Sequence, residues 1–168
     1  MRAVVVYESL WGNTAAIARA IAEGIGEGAR ALPTDGATHE VMEEADLVVA
    51  GSPLLGFALP TDTMRRTIGT DPKHRDHPAD LDHPSMRSWL EGLPASSGGY
   101  ATFETRIWWS PGSAAKRIGK SLARAGYRQV APPEKFLVTD TYGPLKEGEL
   151  ERARAWGEQL ARAVSSAG

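Results

Sequence analysis

The chain has 168 residues, 42% of them hydrophobic, and its 19 Lys and Arg against 21 Asp and Glu leave a net charge of -2 at pH 7. That length suits a single domain over residues 1–168 with one sizeable core, and the charge balance argues against general nucleic-acid binding, which needs a surplus of Lys and Arg on one face. Without cysteine there are no disulfides, thiolate metal sites or Cys nucleophile. The first apolar run, Ala3 to Tyr7, is too short for a signal peptide. No stretch approaches the roughly 18 apolar residues of a membrane span, so a cytoplasmic protein is expected.

Val4-Val5-Val6-Tyr7 reads as a strand buried on both faces. From Asn13, Ile17, Ile21 and Ile25 recur at helical spacing beside Ala18 and Ala22, and the stripe ends in Gly24 to Gly28. Ala29 to Leu32 reads as a weak second strand, and Thr38 to Ala45 as a short helix turning Val41 and Met42 inward. Leu47 to Gly51 is another buried strand, followed by an apolar loop from Ser52 to Pro60. Residues 61–84 mix His74, His77 and His83 with aspartates and prolines, a surface excursion that is helical near Thr63 to Ile68. Ser85 caps a helix to Leu93. Gly99 to Phe103 begins a fourth strand, with Glu104-Thr105-Arg106 after it. Ser113 to Ala125 is amphipathic, with Ala114, Ile118 and Leu122 inside. Phe136 to Val138 is a fifth strand. Glu147 to Val164 is a long helix with Leu150, Ala153, Trp156, Leu160 and Val164 on its inner face.

Strand and helix alternate throughout, which predicts an α/β fold with a parallel, doubly wound sheet. Ligands in such folds sit beyond the C-terminal strand ends, so the loops after strands one, three and four come first. After strand one, Ser9-Leu10-Trp11-Gly12-Asn13-Thr14 opens a helix whose free N–H groups and positive dipole end point into the turn. Ser9 and Thr14 add hydroxyls, Asn13 an amide, and Gly12 allows close approach or a positive φ. No Lys or Arg lies between Glu8 and Thr14, so a phosphate here would rest on neutral donors. The local chemistry is equally that of a plain turn with Asn13 or Thr14 as N-cap.

Other chemistries find less support. Gly24-x-Gly26-x-Gly28 follows a helix, not a strand, so it is no dinucleotide fingerprint. Walker A and G-x-S-x-G sequences are absent. His74-x-x-His77 with His83 has the residue types of a metal site, but the interspersed prolines favour a loop of solvated charges, and no metal is assigned. Ser52 with one of these histidines is the weakest candidate, a hydrolase pair.

Tyr7 to Thr14, with Ala15 to Gly24 as the following helix, closely resembles the start of flavodoxins and flavodoxin-like proteins. Ser9, Gly12 and Thr14 match the family pattern Ser/Thr-x-Thr-Gly-x-Thr, and Trp11 replaces the usual hydroxyl residue. The resemblance implies a three-layer sandwich around a five-stranded sheet of order 2-1-3-4-5. It implies FMN as cofactor, with Pro53, Leu54, Leu55, Gly56 and Phe57 flanking the flavin on one side. Thr102, Phe103, Glu104 and Arg106 would flank it on the other, and Phe57 ahead of Trp11 would meet the ring.

The function implied is electron transfer with a redox partner protein or small-molecule acceptor. Two alternatives stay open: an FMN-dependent NAD(P)H or quinone oxidoreductase, and a non-catalytic module with weak or no FMN binding. Glu104 is nearly the only acidic residue of the flanking loops, whereas Arg65, Arg66 and Arg106 lie on or near them. A less negative potential than a dedicated low-potential carrier is therefore expected.

Overall fold

A computed structural model describes residues 1–167. Strands β1 (Ala3–Tyr7), β2 (Ala29–Pro33), β3 (Leu47–Pro53), β4 (Gly99–Arg106), β5 (Arg128–Gln129) and β6 (Glu134–Leu137) form one parallel sheet. Its order is β2-β1-β3-β4-β5, and β6 also pairs with β4. The expected order 2-1-3-4-5 is present, with the fifth position divided. Tyr100 pairs with Gln129 and Phe103 with Glu134, so the chain beside β4 carries extra residues between its two ladders. Pro132 and Pro133 fall in that gap, and proline cannot donate to a ladder.

Helices α1 (Asn13–Ile25) and α6 (Glu149–Ala167) cover one face of the sheet. Helices α2 (His39–Glu43), α4 (Met86–Glu91) and α5 (Ala114–Arg124) supply side chains to the other. Between them, after β3, comes α3 (Asp62–Thr70) and a short 3-10 turn at Pro72–His74. Strand alternation divides the core. Val5, Val49 and Phe103 meet Ile17, Ile21, Trp156 and Leu160, while Val4, Val6, Val48 and Tyr100 meet Met42, Met86, Ile118 and Leu122. Each such aliphatic burial contributes roughly 1.5–3 kcal/mol. Hydroxyls stop the shorter helices fraying: Thr38, Thr61, Ser85 and Ser113 each accept a first-turn N–H.

The two helices of the first face touch backbone to backbone. A Cβ built on Gly24 would lie 1.9 Å from Arg154 O, and one on Gly157 would lie 2.2 Å from Ile21 O. Glycine is required at both by close approach, not by turn geometry.

Three expectations need correction. Strand β4 does not end at Phe103 but runs through Arg106, every residue buried. Leu150 is not on the inner face of α6: it is 40% exposed, and Glu149 turns inward instead. There its carboxylate accepts from Leu137 N at 2.6 Å and from Arg152 Nε at 2.9 Å. The 61–84 segment is not a solvated excursion throughout, since Arg65, His74 and His83 are buried. No helix among the described residues is long and apolar enough to cross a membrane.

Candidate functional site

The loop after β1 sits at the C-terminal edge of the sheet, between β2 and β3. Neither Asn13 nor Thr14 caps α1. The N-cap is Gly12, at φ 93° and ψ -13°, with no side-chain cap. A Cβ on Gly12 would meet nothing within 4 Å, so the glycine is needed for the left-handed conformation itself. Ser9 Oγ accepts from Gly12 N at 3.1 Å and from Ala15 N at 3.2 Å, folding the loop into a ring. Thr14 Oγ1 lies 2.7 Å from Thr105 Oγ1, tying α1 to β4. Among the described residues, no protein acceptor meets the backbone N–H of Leu10, Trp11, Asn13 or Thr14. Asn13 and Thr14 contribute the orphan donors of a helix start, and Leu10 and Trp11 add two free donors from the loop before it.

Two further walls complete a cleft. Pro53, Leu54 and Leu55 come from the end of β3 and the loop after it, and Thr105, Arg106, Ile107 and Ser110 from the end of β4 and beyond. Val138 and Thr141, from the loop after β6, close it with Ser9, Leu10, Trp11, Asn13 and Thr14. Its cavity is about 50 Å³, room for a few waters, against the roughly 300–1,000 Å³ of ordinary ligand pockets. The donor set suits a phosphate as it stands. A three-ring isoalloxazine requires the 53–55 and 107–110 walls to part.

Several expected site residues lie elsewhere. Phe57 adopts φ 68°, is 62% exposed, and faces a groove on the far side of its loop. Gly56 is exposed and outside the cleft lining as well. Thr102 and Phe103 are inside β4, and Phe103 is core, edge-on to Phe136 at 6.1 Å between ring centroids. The wall on that side begins at Thr105, later in the chain than the sequence suggests. Ile107, Ser110, Val138 and Thr141 were not expected. Their one sequence signal is position, just past the C-terminal end of a strand.

Glu104 and Arg106 are partners. Arg106 Nη1 donates to Glu104 Oε2 at 2.9 Å, while Ser113 Oγ and Ala115 N donate to Glu104 Oε1. The carboxylate thus anchors the start of α5. Likewise Arg65 Nη1 donates to Glu8 Oε2 at 2.6 Å, and Met86 N donates to Glu8 Oε1 at 2.9 Å. Arg65 and Arg106 are therefore each paired with a buried carboxylate. Arg66 is exposed and hydrogen-bonds Thr63 Oγ1.

The 61–84 segment fastens onto the first loop. Asp80 N donates to Leu10 O at 2.8 Å, and Ser9 N donates to His83 Nε2 at 3.3 Å. Trp11, the departure from the family pattern, donates its indole N–H to His77 O at 2.8 Å. Its ring lies edge-on to Tyr142, with centroids 5.1 Å apart, while Tyr142 stacks on His77 at 4.2 Å and holds His74 Nδ1 at 2.6 Å. Trp11 thus clips two neighbouring segments to the Ser9–Thr14 loop. Among the described residues no group of three His, Asp or Glu is placed to hold a metal. Ser52 Oγ donates to Pro53 O, so no hydrolase pair is assembled there.

No protein-family model and no curated protein matches the chain. Solved structures do resemble it. A flavodoxin from the domain Archaea superposes with TM-score 0.70 at 21% identity, over 98% of this chain and 99% of its own. Flavodoxin 1 from Bacillus cereus gives 0.67 at 17% identity, over 96% and 98%. Rubredoxin oxygen:oxidoreductase from the anaerobe Desulfovibrio gigas gives 0.65 at 19% identity, with 98% of this chain matching 36% of that one. At these identities the likeness establishes architecture: the chain has the flavodoxin-like fold.

Proposed function

We propose that this protein binds FMN, with the phosphate on the Ser9–Thr14 loop, and acts in electron transfer. The observation that supports this reading is that the backbone N–H groups of Leu10, Trp11, Asn13 and Thr14, on either side of a left-handed Gly12, meet no protein acceptor among the described residues. Bound FMN would supply the redox chemistry, and the protein would bind and orient it.

In this reading the backbone N–H groups hold the phosphate, and the protons of Ser9 Oγ and Asn13 Nδ2 remain available to it. Ser9 Oγ also keeps the loop in register through Gly12 N and Ala15 N. Pro53–Leu55 and Ile107–Ser110 would sandwich the ring and exclude water from its faces. The 61–84 segment packs on the phosphate end and does not line the cleft, which leaves the ring edge to those two walls. That arrangement favours a carrier, which presents an edge to a partner, over an oxidoreductase with a built substrate pocket. The test is direct: apo-protein titrated with FMN should turn yellow, quench flavin fluorescence and saturate at one equivalent.

The narrow cleft favours a second reading, a module that binds a phosphate group without the flavin ring. Phosphate binding by a protein that stays colourless in excess FMN would select it.

A further inference from the structure

Beside the cleft, on the outer side of both walls, lies a groove lined by Arg87, Lys116, Arg117, Lys120 and Lys135. None of these cations has a carboxylate within salt-bridge distance among the described residues. Helix α5 carries Lys116, Arg117, Lys120 and Arg124 and no acidic residue. This concentration stands out in a chain whose net charge is -2. Burial and the neighbouring Arg117 both push the Arg87 guanidinium below its ordinary pKa, with Glu8 and Asp62 opposing them. Arg87 itself is held by donating to Leu59 O at 2.8 Å.

Large apolar side chains are exposed on the two loops that lead into this groove. Phe57 is 62% exposed, Trp108 76% and Trp109 62%. They belong to the two loops that also form the cleft walls, and Gly112 seats one loop on the other, since a Cβ there would lie 2.0 Å from Phe57 O. Exposed tryptophans beside unpaired cations are costly features of a free surface. They are also the residue types that dominate protein interfaces, with charge to steer and aromatic anchors to hold.

We propose that this groove and these loops dock an acidic electron-carrier protein, carboxylates on the α5 cations and an apolar patch on Trp108 and Trp109. The choice of an electron carrier rests on the flavin reading, because the same loops form the cleft walls. The acidic character rests on the charges alone.

The test titrates the protein, apo and FMN-loaded, with an acidic [2Fe–2S] ferredoxin and a basic c-type cytochrome, by calorimetry. The ferredoxin should bind both forms at low salt and weaken at least tenfold between about 50 and 300 mM salt; the cytochrome should not bind the groove. Electrostatic steering is typically worth 10- to 1,000-fold, so K116E/R117E/K120E should weaken the ferredoxin at least tenfold. Trp108→Ala/Trp109→Ala should weaken it with the salt slope unchanged. These sites are exposed, so the variants should keep the parent's circular dichroism and melting temperature. Failure of the ferredoxin to bind, indifference to charge reversal, or equally tight cytochrome binding overturns the proposal. So does pyrophosphate binding as tightly as the ferredoxin, which would make this a small-anion site, or a dimer in sedimentation that the charge-reversed variant loses. The apo arm needs no flavin, so it separates failure here from failure of FMN binding.

Discussion

Arg65 and Glu8, 57 residues apart, form a buried ion pair at 2.6 Å at the start of the Ser9–Thr14 loop. The guanidinium also donates to the carbonyl of His83, so one side chain joins the residue after β1, α3 and the end of the 61–84 segment. Removing one partner of a buried pair leaves the other charge uncompensated, at a cost of about 3–5 kcal/mol. Arg65→Met should therefore lower the unfolding free energy by that amount, read as a lower urea midpoint at unchanged m-value, and adding Glu8→Leu should recover part of the loss. A loss under about 1 kcal/mol would deny the pair its structural role.

Gly157→Ala sets two effects against each other. Ala gains about 1 kcal/mol in helix propensity over Gly. The added methyl would meet Ile21 O at 2.2 Å, and that atom is backbone in another helix. Overpacking typically costs 1–3 kcal/mol or more, so the clash should win, with a net loss of about 1–2 kcal/mol in thermal or urea unfolding. A stabilised variant would mean that α1 and α6 can separate freely.

Glu149 gives the fold a pH dependence. The Arg152 guanidinium hydrogen-bonded to it, then the Leu137 N–H, hold its carboxyl below the ordinary glutamate range despite burial. A carboxyl depressed in the folded state adds stability that is full above its unfolded pKa, about 4.3, and lost as pH falls through the folded value. Glu149→Gln should cost about 1–3 kcal/mol at pH 7, and the difference from the parent should shrink below about pH 4. A gap constant down to pH 3 would contradict the assignment.

How much of this was legible in the sequence depends on what disguised each element. Val4 to Tyr7 and Leu47 to Gly51 announced themselves, because a strand buried on both faces must be an apolar run. Strand β4 was cut short at Phe103 because Glu104 and Arg106 look like loop residues. They can be buried because they pair with each other and with the loop and helix that follow, partners no single-position reading detects. The same masking hid Glu8 and Arg65. Phe57 was misplaced because its left-handed φ, 68°, turns the side chain away from the cleft. The turn from Ser9 to Thr14 and the helix after it were readable, since the signals lie in consecutive residues. The cleft's fourth side was not, because Val138 and Thr141 reach it only through the divided strand before them.

Within the loop, Thr14→Ala should weaken FMN by about 1–1.5 kcal/mol, close to tenfold, by loosening the α1 start from Thr105. Ser9→Ala removes the acceptor for two loop N–H groups and should cost at least as much. Equilibrium fluorescence quenching with each variant reads both, and unchanged affinity in the double variant would remove these hydroxyls from the site.

If the Ser9–Thr14 loop holds the phosphate of a flavin, removing that phosphate from the ligand should weaken binding. Comparing FMN with riboflavin, which lacks only the phosphate, tests it most directly. Titration of the apo-protein should give an FMN Kd of about 1 μM or tighter, with riboflavin at least tenfold weaker and Gly12→Ala narrowing the difference. Equal affinity for the two, or no uptake of FMN at about 100 μM, would contradict the account.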